Sequence, residues 1–486
     1  MALTTDRGMG SAALLPEPTP RFPHLARELL VVALPNIMSF WLLLSNDVVN
    51  TMVLGRTGEP ALVAALGLAN MVQNCCGLYV GFGIASALDT LVSQSHGAQQ
   101  HELSCHQLQR CRALLTLQLV WTMPILYHSD WLLSYIGQEP EVARLAGEYT
   151  RANVLGLFPV LQQEATRRFL INRKDVVPTT VINAIGATLH VGWSVLFVRH
   201  FRLGLAGAGY ANAVTWWTRF VLGGCYLAWV ASRDGLRKRA LLGIERAALR
   251  DWGTYLRLAV PAVLQMCGEK SFWDITAGIV GYLGGAALAT HVAAHNLANL
   301  SCKPFIGLSG SAAALVGNAL GANLPRRAKA LTWTCECLSL LTWTMVAVAL
   351  AFVREPLSAM YTSDPEIKDA MQRLILIFAV VGYCESSQNA MGGVLRGIGR
   401  QMFAAGTYML AYYGVMLPCC LLIAFKLDFG IYGIWWSFGV GTGLVASVFA
   451  SALWLTEWTS LAEATAARMK REGRLAEALA HGGAPE

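Results

Sequence analysis

The chain has 486 residues, of which 55% are hydrophobic and 14% charged, with a mean hydropathy of +0.46. So little charge excludes an ordinary soluble protein and places the chain among integral membrane proteins. The net charge of +7 and the twelve scattered cysteines, none of them paired at metal-ligand spacing, point neither to nucleic acid nor to a metal or cofactor.

In chain order, residues 1–27 are polar and Pro-containing and lack the pattern of a signal peptide, which predicts a disordered tail. Twelve apolar windows follow, at 30–54, 61–92, 113–135, 153–172, 177–198, 205–230, 255–283, 286–317, 331–353, 372–393, 403–425 and 430–456. Each is long enough to cross a hydrocarbon core about 30 Å thick. The first six fall within 28–232 and the last six within 255–456, separated by a basic amphipathic linker at 233–254 that is expected to lie on the inner membrane surface. An A/E/R-rich helix closes the chain at 457–486. The tails and even-numbered loops carry 25 Lys and Arg, the odd-numbered loops 9. By the positive-inside rule both termini are expected in the cytosol.

Landmarks recur between the halves. "ALPNIM" at Ala33 returns as "AVPAVL" at Ala259, "SQSHGAQQ" as "GNALGANL", and "GLAGAGYANAV" from Gly204 as "GIYGIWWSFGV" from Gly430. The offsets are 226, 224 and 226 residues. Six spans is an even number, so both copies insert in the same orientation, related by an axis along the membrane normal. The expected fold is an all-α polytopic membrane protein: twelve transmembrane helices in two pseudo-symmetric six-helix lobes around a central cleft. That suits a carrier working by alternating access. No GxxxxGK[ST] loop and no catalytic motif at a membrane face suggest a pump or an enzyme.

Acids within spans cost about 2.5–3.5 kcal/mol on insertion scales and are functional candidates by default. Asp89 and Glu164 fall near span ends, where water can solvate them and a structural role is expected. Asp47 lies deep in the first span, Glu269 and Asp274 in the seventh, and Glu385 in the tenth beside Ser386, Ser387, Gln388 and Asn389. Glu269 and Asp274 are five apart, about 140° around a helix, so they border a cavity rather than share a stripe. Lys270 precedes Asp274 by four residues and is placed to pair with it, whereas Glu269 has no such partner. Desolvation disfavours the charged form of a carboxyl, so proton and cation compete for such a site, which is sufficient for antiport. His291 and His295, one turn apart, are a possible proton relay. Phe272 and Trp273 could offer faces to an organic cation. Lys303 is a buried base that could neutralise one of the acids.

Three ordered motifs, "GFGIASALDTLVSQSHGAQ", "LVGNALGAN" and "GGVLRGIGRQ", resemble those of multidrug and toxin extrusion (MATE) transporters, in particular the animal-type branch. The resemblance spans about residues 28–456. It implies a V-shaped cleft between two lobes and proton-coupled exchange of organic cations. It assigns the seventh-span acids to Glu269 and Asp274, the tenth-span acid to Glu385, and a second-span asparagine to Asn74. Lys270 and Ser271 stand where the animal-type proteins usually carry two tryptophans. Asn296 replaces an eighth-span acid, and Asn50 stands where bacterial relatives often carry aspartate. The expected partners are an organic cation, protons and the bilayer, for a monomer in the plasma membrane or an acidic vesicle membrane. The alternative on the same fold is an anionic or zwitterionic substrate held by Lys270 or Lys303.

Overall fold

A computed structural model of the chain describes residues 21–56, 59–236, 241, 243, 245–250, 252–362 and 364–480. The expected N-terminal tail up to residue 20, linker residues 237–240, 242, 244 and 251, and residues 481–486 lie outside the described residues. Among the described residues there is no strand, and twelve long helical rods follow one another. They are α1 (Phe22–Gly55), α2 (Pro60–Gln73, continued through Asn74–Leu78, Tyr79–Ser86 and Leu88–Gly97), α3 (His101–Tyr127), α4 (Pro140–Asn153, Val154–Gly156 and Leu157–Asn172), α5 (Val177–Ser194 and Val195–His200) and α6 (Gly204–Arg233). The second half repeats them as α7 (Trp252–Gly281), α8 (Gly285–Gly321), α9 (Pro325–Tyr361), α10 (Pro365–Gly397), α11 (Gln401–Met409, Leu410–Met416, Leu417–Leu421 and Leu422–Lys426) and α12 (Gly430–Trp454). A last helix, α13, runs over Trp458–Ala480.

Local sequence explains the ends. Proline opens α2, α4, α5, α9 and α10, where its missing N–H would have had no partner in any case. The turns between rods carry left-handed residues in matched pairs: Gln99 (φ 61°) and Asn323 (57°), Lys174 (65°) and Gly399 (82°), Arg202 (54°) and Asp428 (57°), Gly204 (55°) and Gly430 (54°). A left-handed non-glycine residue costs about 1–2 kcal/mol. Its return at the same place in the second half identifies a duplicated backbone, independently of the repeated letters.

Seven rods, α1, α2, α5, α8, α9, α11 and α12, are long and apolar enough to cross a membrane on length and composition alone. The other five, α3, α4, α6, α7 and α10, are equally long but interleave polar and charged residues. They are membrane helices by their place among the apolar ones.

The buried core forms two large clusters that do not divide at the sequence boundary. Leu25, Leu29, Val32 and Ala33 of α1 belong to the cluster of the second half. Tyr255, Leu258 and Ala259 of α7 belong to that of the first. Asn36 donates to the Gly307 carbonyl (2.8 Å), and the Tyr255 hydroxyl donates to Ile84 O (2.9 Å). Each lobe thus lends the first half of its first helix to the other. The shared end is the basic one, which carries the short loops after α2, α4, α8 and α10. There Gln94 donates to Gly397 O (2.8 Å), Asn318 to Asn172 O (2.8 Å), and Arg327 to Glu28 (2.7 Å).

Asp89 and Glu164 sit at that end but are not solvated by water, contrary to the sequence expectation. Asp89 is buried and Glu164 nearly so, both among arginines: Arg168 bridges Asp89 and Glu164 at 2.6 Å each, Arg167 meets Glu164 at 2.8 Å, and Arg396 of the other lobe reaches Asp89 at 3.5 Å. Their role as structural counter-ions stands, by a different solvation. The described part of the linker lies against α3, with the Arg110 guanidinium on Ala248 O (3.1 Å) and Glu245 N on Gln109 (2.7 Å).

Candidate functional site

Two helices of the second lobe, α7 and α10, carry acids into the interior. On α7, Glu269 and Asp274 point to different sides, as their spacing requires. Lys270 does not pair with Asp274. Its ammonium donates to Glu269 at 2.8 Å, and both side chains remain partly exposed, at 33% and 24%. The four-carbon stem can swing sideways to its neighbour, which leaves Asp274 exposed and free to accept from the Cys75 thiol of α2 (3.6 Å). Glu269 therefore has a local partner after all, and Asp274 has one from the opposite lobe.

On α10, Glu385 is gripped from its own helix. Gln388 donates to one carboxylate oxygen (2.5 Å) and Asn389 to the other (2.8 Å). Gln388 also donates to the Tyr412 hydroxyl of α11 (3.1 Å). The spacings of three and four residues put both amides one turn from the acid, on its face. Glu269 and Lys270 lie within electrostatic range of Glu385, and so does the Tyr79 hydroxyl of α2 with respect to Lys270. Glu269, Lys270 and Glu385 thus share one electrostatic neighbourhood, and Asp274 and Lys303 also lie in the field of Lys270.

An aromatic wall backs the cluster. Trp273 lies against His295 (4.3 Å between ring centres) and Phe438 (4.6 Å). His291 is a turn away on α8, 6.3 Å from His295 and 6.0 Å from Trp435. Neither Nδ1 atom has a protein partner among the described residues. Trp273 is partly exposed, but Phe272 is only 1% exposed and packs edge-on against Tyr412 (5.1 Å). Phe272 is core, and of the two expected aromatic faces only that of Trp273 is open.

The other candidates lie apart. Asn74 opens the irregular turn Asn74–Leu78 that delivers its neighbour Cys75 to Asp274. Asn296 is exposed on α8. Lys303 donates to Asn299 (2.6 Å) rather than to an acid. Asp47, on α1, lies in the field of Lys303 and of Arg219 on α6. The first lobe also holds a buried network of neutral polar groups. Asn50 donates to Asn212 (3.2 Å) and accepts from Ser194 (3.1 Å), with His190 at 3.2 Å. Asn212 in turn donates to the Tyr149 hydroxyl (2.7 Å).

Against known proteins, the profile described as MatE matches residues 35–196 and again 261–422. The two matches are displaced by 226 residues at both ends, the offset of the repeated landmarks. This chain belongs to the MatE family. It is similar to an uncharacterised transporter of Schizosaccharomyces pombe, 30% identical over 437 residues, covering 90% of this chain and 80% of that protein. Multidrug and toxin extrusion protein 1 of Danio rerio is 27% identical, over 89% of this chain and 72% of its own. In fold it is similar to the crystal structure of the eukaryotic MATE transporter AtDTX14, with a TM-score of 0.85 at 23% identity, covering 92% and 99% of the two chains. The protein is accordingly a multi-pass membrane transporter with the MatE architecture of twelve helices in two repeated halves.

Sequence reasoning did not single out Cys75, which meets Asp274; Tyr412, which meets Gln388; or Tyr79, which lies in the field of Lys270. A thiol or phenol in an apolar span has no distinguishing local signal. It also passed over Glu336 in α9, although an acid in a span is itself such a signal.

Proposed function

We propose that the protein is a proton-coupled antiporter that exports organic cations and other xenobiotics through alternating access of its two lobes. Glu269 and Glu385 are the coupling acids, and Asp274 and Asn74 border the path of the substrate. The observation that carries the reading is the cluster itself: Lys270 is ion-paired to Glu269, and the carboxyl of Glu385, on a different helix, lies within electrostatic range of both. Glu385, held by two amides and not ion-paired among the described residues, is thereby left for a proton or a substrate cation to neutralise. Either occupant satisfies the site and both together do not, which makes their exchange obligatory. The exposed face of Trp273, beside His295, suits an alkylammonium or aromatic cation. The asymmetry of Lys and Arg supports cytosolic termini, and the proposal takes the protein as a monomer in a plasma or vesicle membrane.

A second reading rests on Lys303, which has no carboxylate within ion-pairing distance among the described residues. It would hold the carboxylate of a zwitterion while the acids hold its ammonium. A substrate series separates the two. Purified protein in liposomes under an imposed pH gradient should take up tetraethylammonium and reject a sulfonate of similar size. Preference for a betaine over tetraethylammonium would favour the second reading, and uptake of the sulfonate alone would overturn both.

A further inference from the structure

Outside the cluster, the second lobe holds another carboxyl that the reading above does not use. Glu336 lies eleven residues into α9, about 16 Å from its start at 1.5 Å per residue, within a stretch that qualifies as a membrane span. It is 7% exposed. One carboxyl oxygen meets the Ser387 hydroxyl of α10. The other, Oε2, is buried without a partner. Ser387 follows Glu385 by two residues, about 200° around the helix, so the Glu336 contact at Ser387 lies on the side of α10 opposite Glu385 at nearly the same depth.

The surroundings hold no charge to balance an anion. Its own field reaches the thiol of Cys335, its neighbour on α9, and among the described residues no titratable group acts on it in return. From α10 it meets Ser387, and among the described residues no Lys, Arg or His of α1, α8, α10 or α13 stands within ion-pairing distance of it. A carboxylate left with no counter-ion and one undonated oxygen in a membrane interior costs several kcal/mol. Supplying a proton at Oε2 removes the charge, and Oε1 still accepts from Ser387.

We infer that Glu336 is a separate proton-binding site of the second lobe, occupied in this conformation and tied to the Glu385 helix through Ser387. It rests on the proton-coupled reading for its use in transport, but not for its occupancy. The effect on α10 is direct. Loss of the proton would draw Ser387 and any available donor toward the charge, turning or shifting the segment that holds Glu385.

Two measurements test this. Infrared difference spectra of the purified protein at neutral pH, wild type against Glu336→Gln, should contain the carbonyl band of a protonated carboxyl that the variant lacks. A carboxylate band in its place would overturn the proposal whatever the transport result. In liposomes, Glu336→Gln should still carry cations but with a shallower dependence of initial rate on pH than wild type, and Ser387→Ala should share part of that loss. A pH profile unchanged in both variants would limit Glu336 to packing. If wild-type uptake ignores the pH gradient, the antiport reading fails, and the infrared comparison still decides the site.

Discussion

Lys270 is the most direct probe of the acid pair because its ammonium sits on Glu269 at 2.8 Å. If the pair shields one acid from cations, Lys270→Gln should unmask it. The predicted result is a fall in KM for tetraethylammonium of about tenfold, the equivalent of roughly 1.4 kcal/mol, with folding intact. If the lysine instead holds an anionic group of the substrate, the same variant should lose transport. Glu385 offers a second residue-level prediction. Its grip by Gln388 and Asn389 orients the carboxyl, so Asn389→Ala should lower the rate of gradient-driven uptake several-fold and leave expression near wild type. Unaltered uptake would mean that the orientation of the acid is set elsewhere. The acids were legible from sequence because a charge in an apolar run is a local signal. Their pairing was not: Lys270 turns to its neighbour Glu269, and Asp274 takes its donor from Cys75, on a helix nearly two hundred residues earlier.

Among the elements, the contact of α2 with α8 depends on two glycines related by the repeat. A side chain on Gly97 would place its first carbon 2.1 Å from Asn318 O, and one on Gly321 2.0 Å from Gln94 O. Both obstacles are backbone, which cannot turn aside. Gly97→Val should therefore pry the lobes apart at the basic end. The measurement is labelling of a Ser93→Cys reporter by a hydrophilic maleimide, above the background of the native thiols. Labelling is expected to rise several-fold, and protected Ser93→Cys in a folded variant would contradict the close approach. Both glycines lie in motifs that the sequence offers as landmarks. Their reason, helix backbones in contact, becomes visible only when the halves are brought together.

For the whole molecule, the basic end is closed by more than its helices. α13 belongs to neither repeat yet touches both. Trp458 and Ala462 sit in the core of the second lobe, Met469 packs on Leu103 of α3, and the Arg468 guanidinium donates to Gln94. From sequence this segment is a cytosolic helix without evident chemistry, because an amphipathic stripe does not announce what it covers. The crossing of α1 and α7 into the opposite core escapes sequence in the same way, since periodicity reports which face is buried and not against what. The proposed alternating access would require these contacts to break, so removal of residues 458–486 should favour the state open at the basic end and raise labelling of Ser93→Cys. The central claim remains the shared use of Glu269 and Glu385 by proton and cation, and coupled flux tests it most directly. Tetraethylammonium uptake and proton efflux would be recorded together in liposomes holding wild type, Glu269→Gln or Glu385→Gln under the same pH gradient. The account predicts that wild type moves both together and that each variant, though folded, moves neither against its gradient. Uptake by wild type without proton movement, or full coupling retained in both variants, would contradict it.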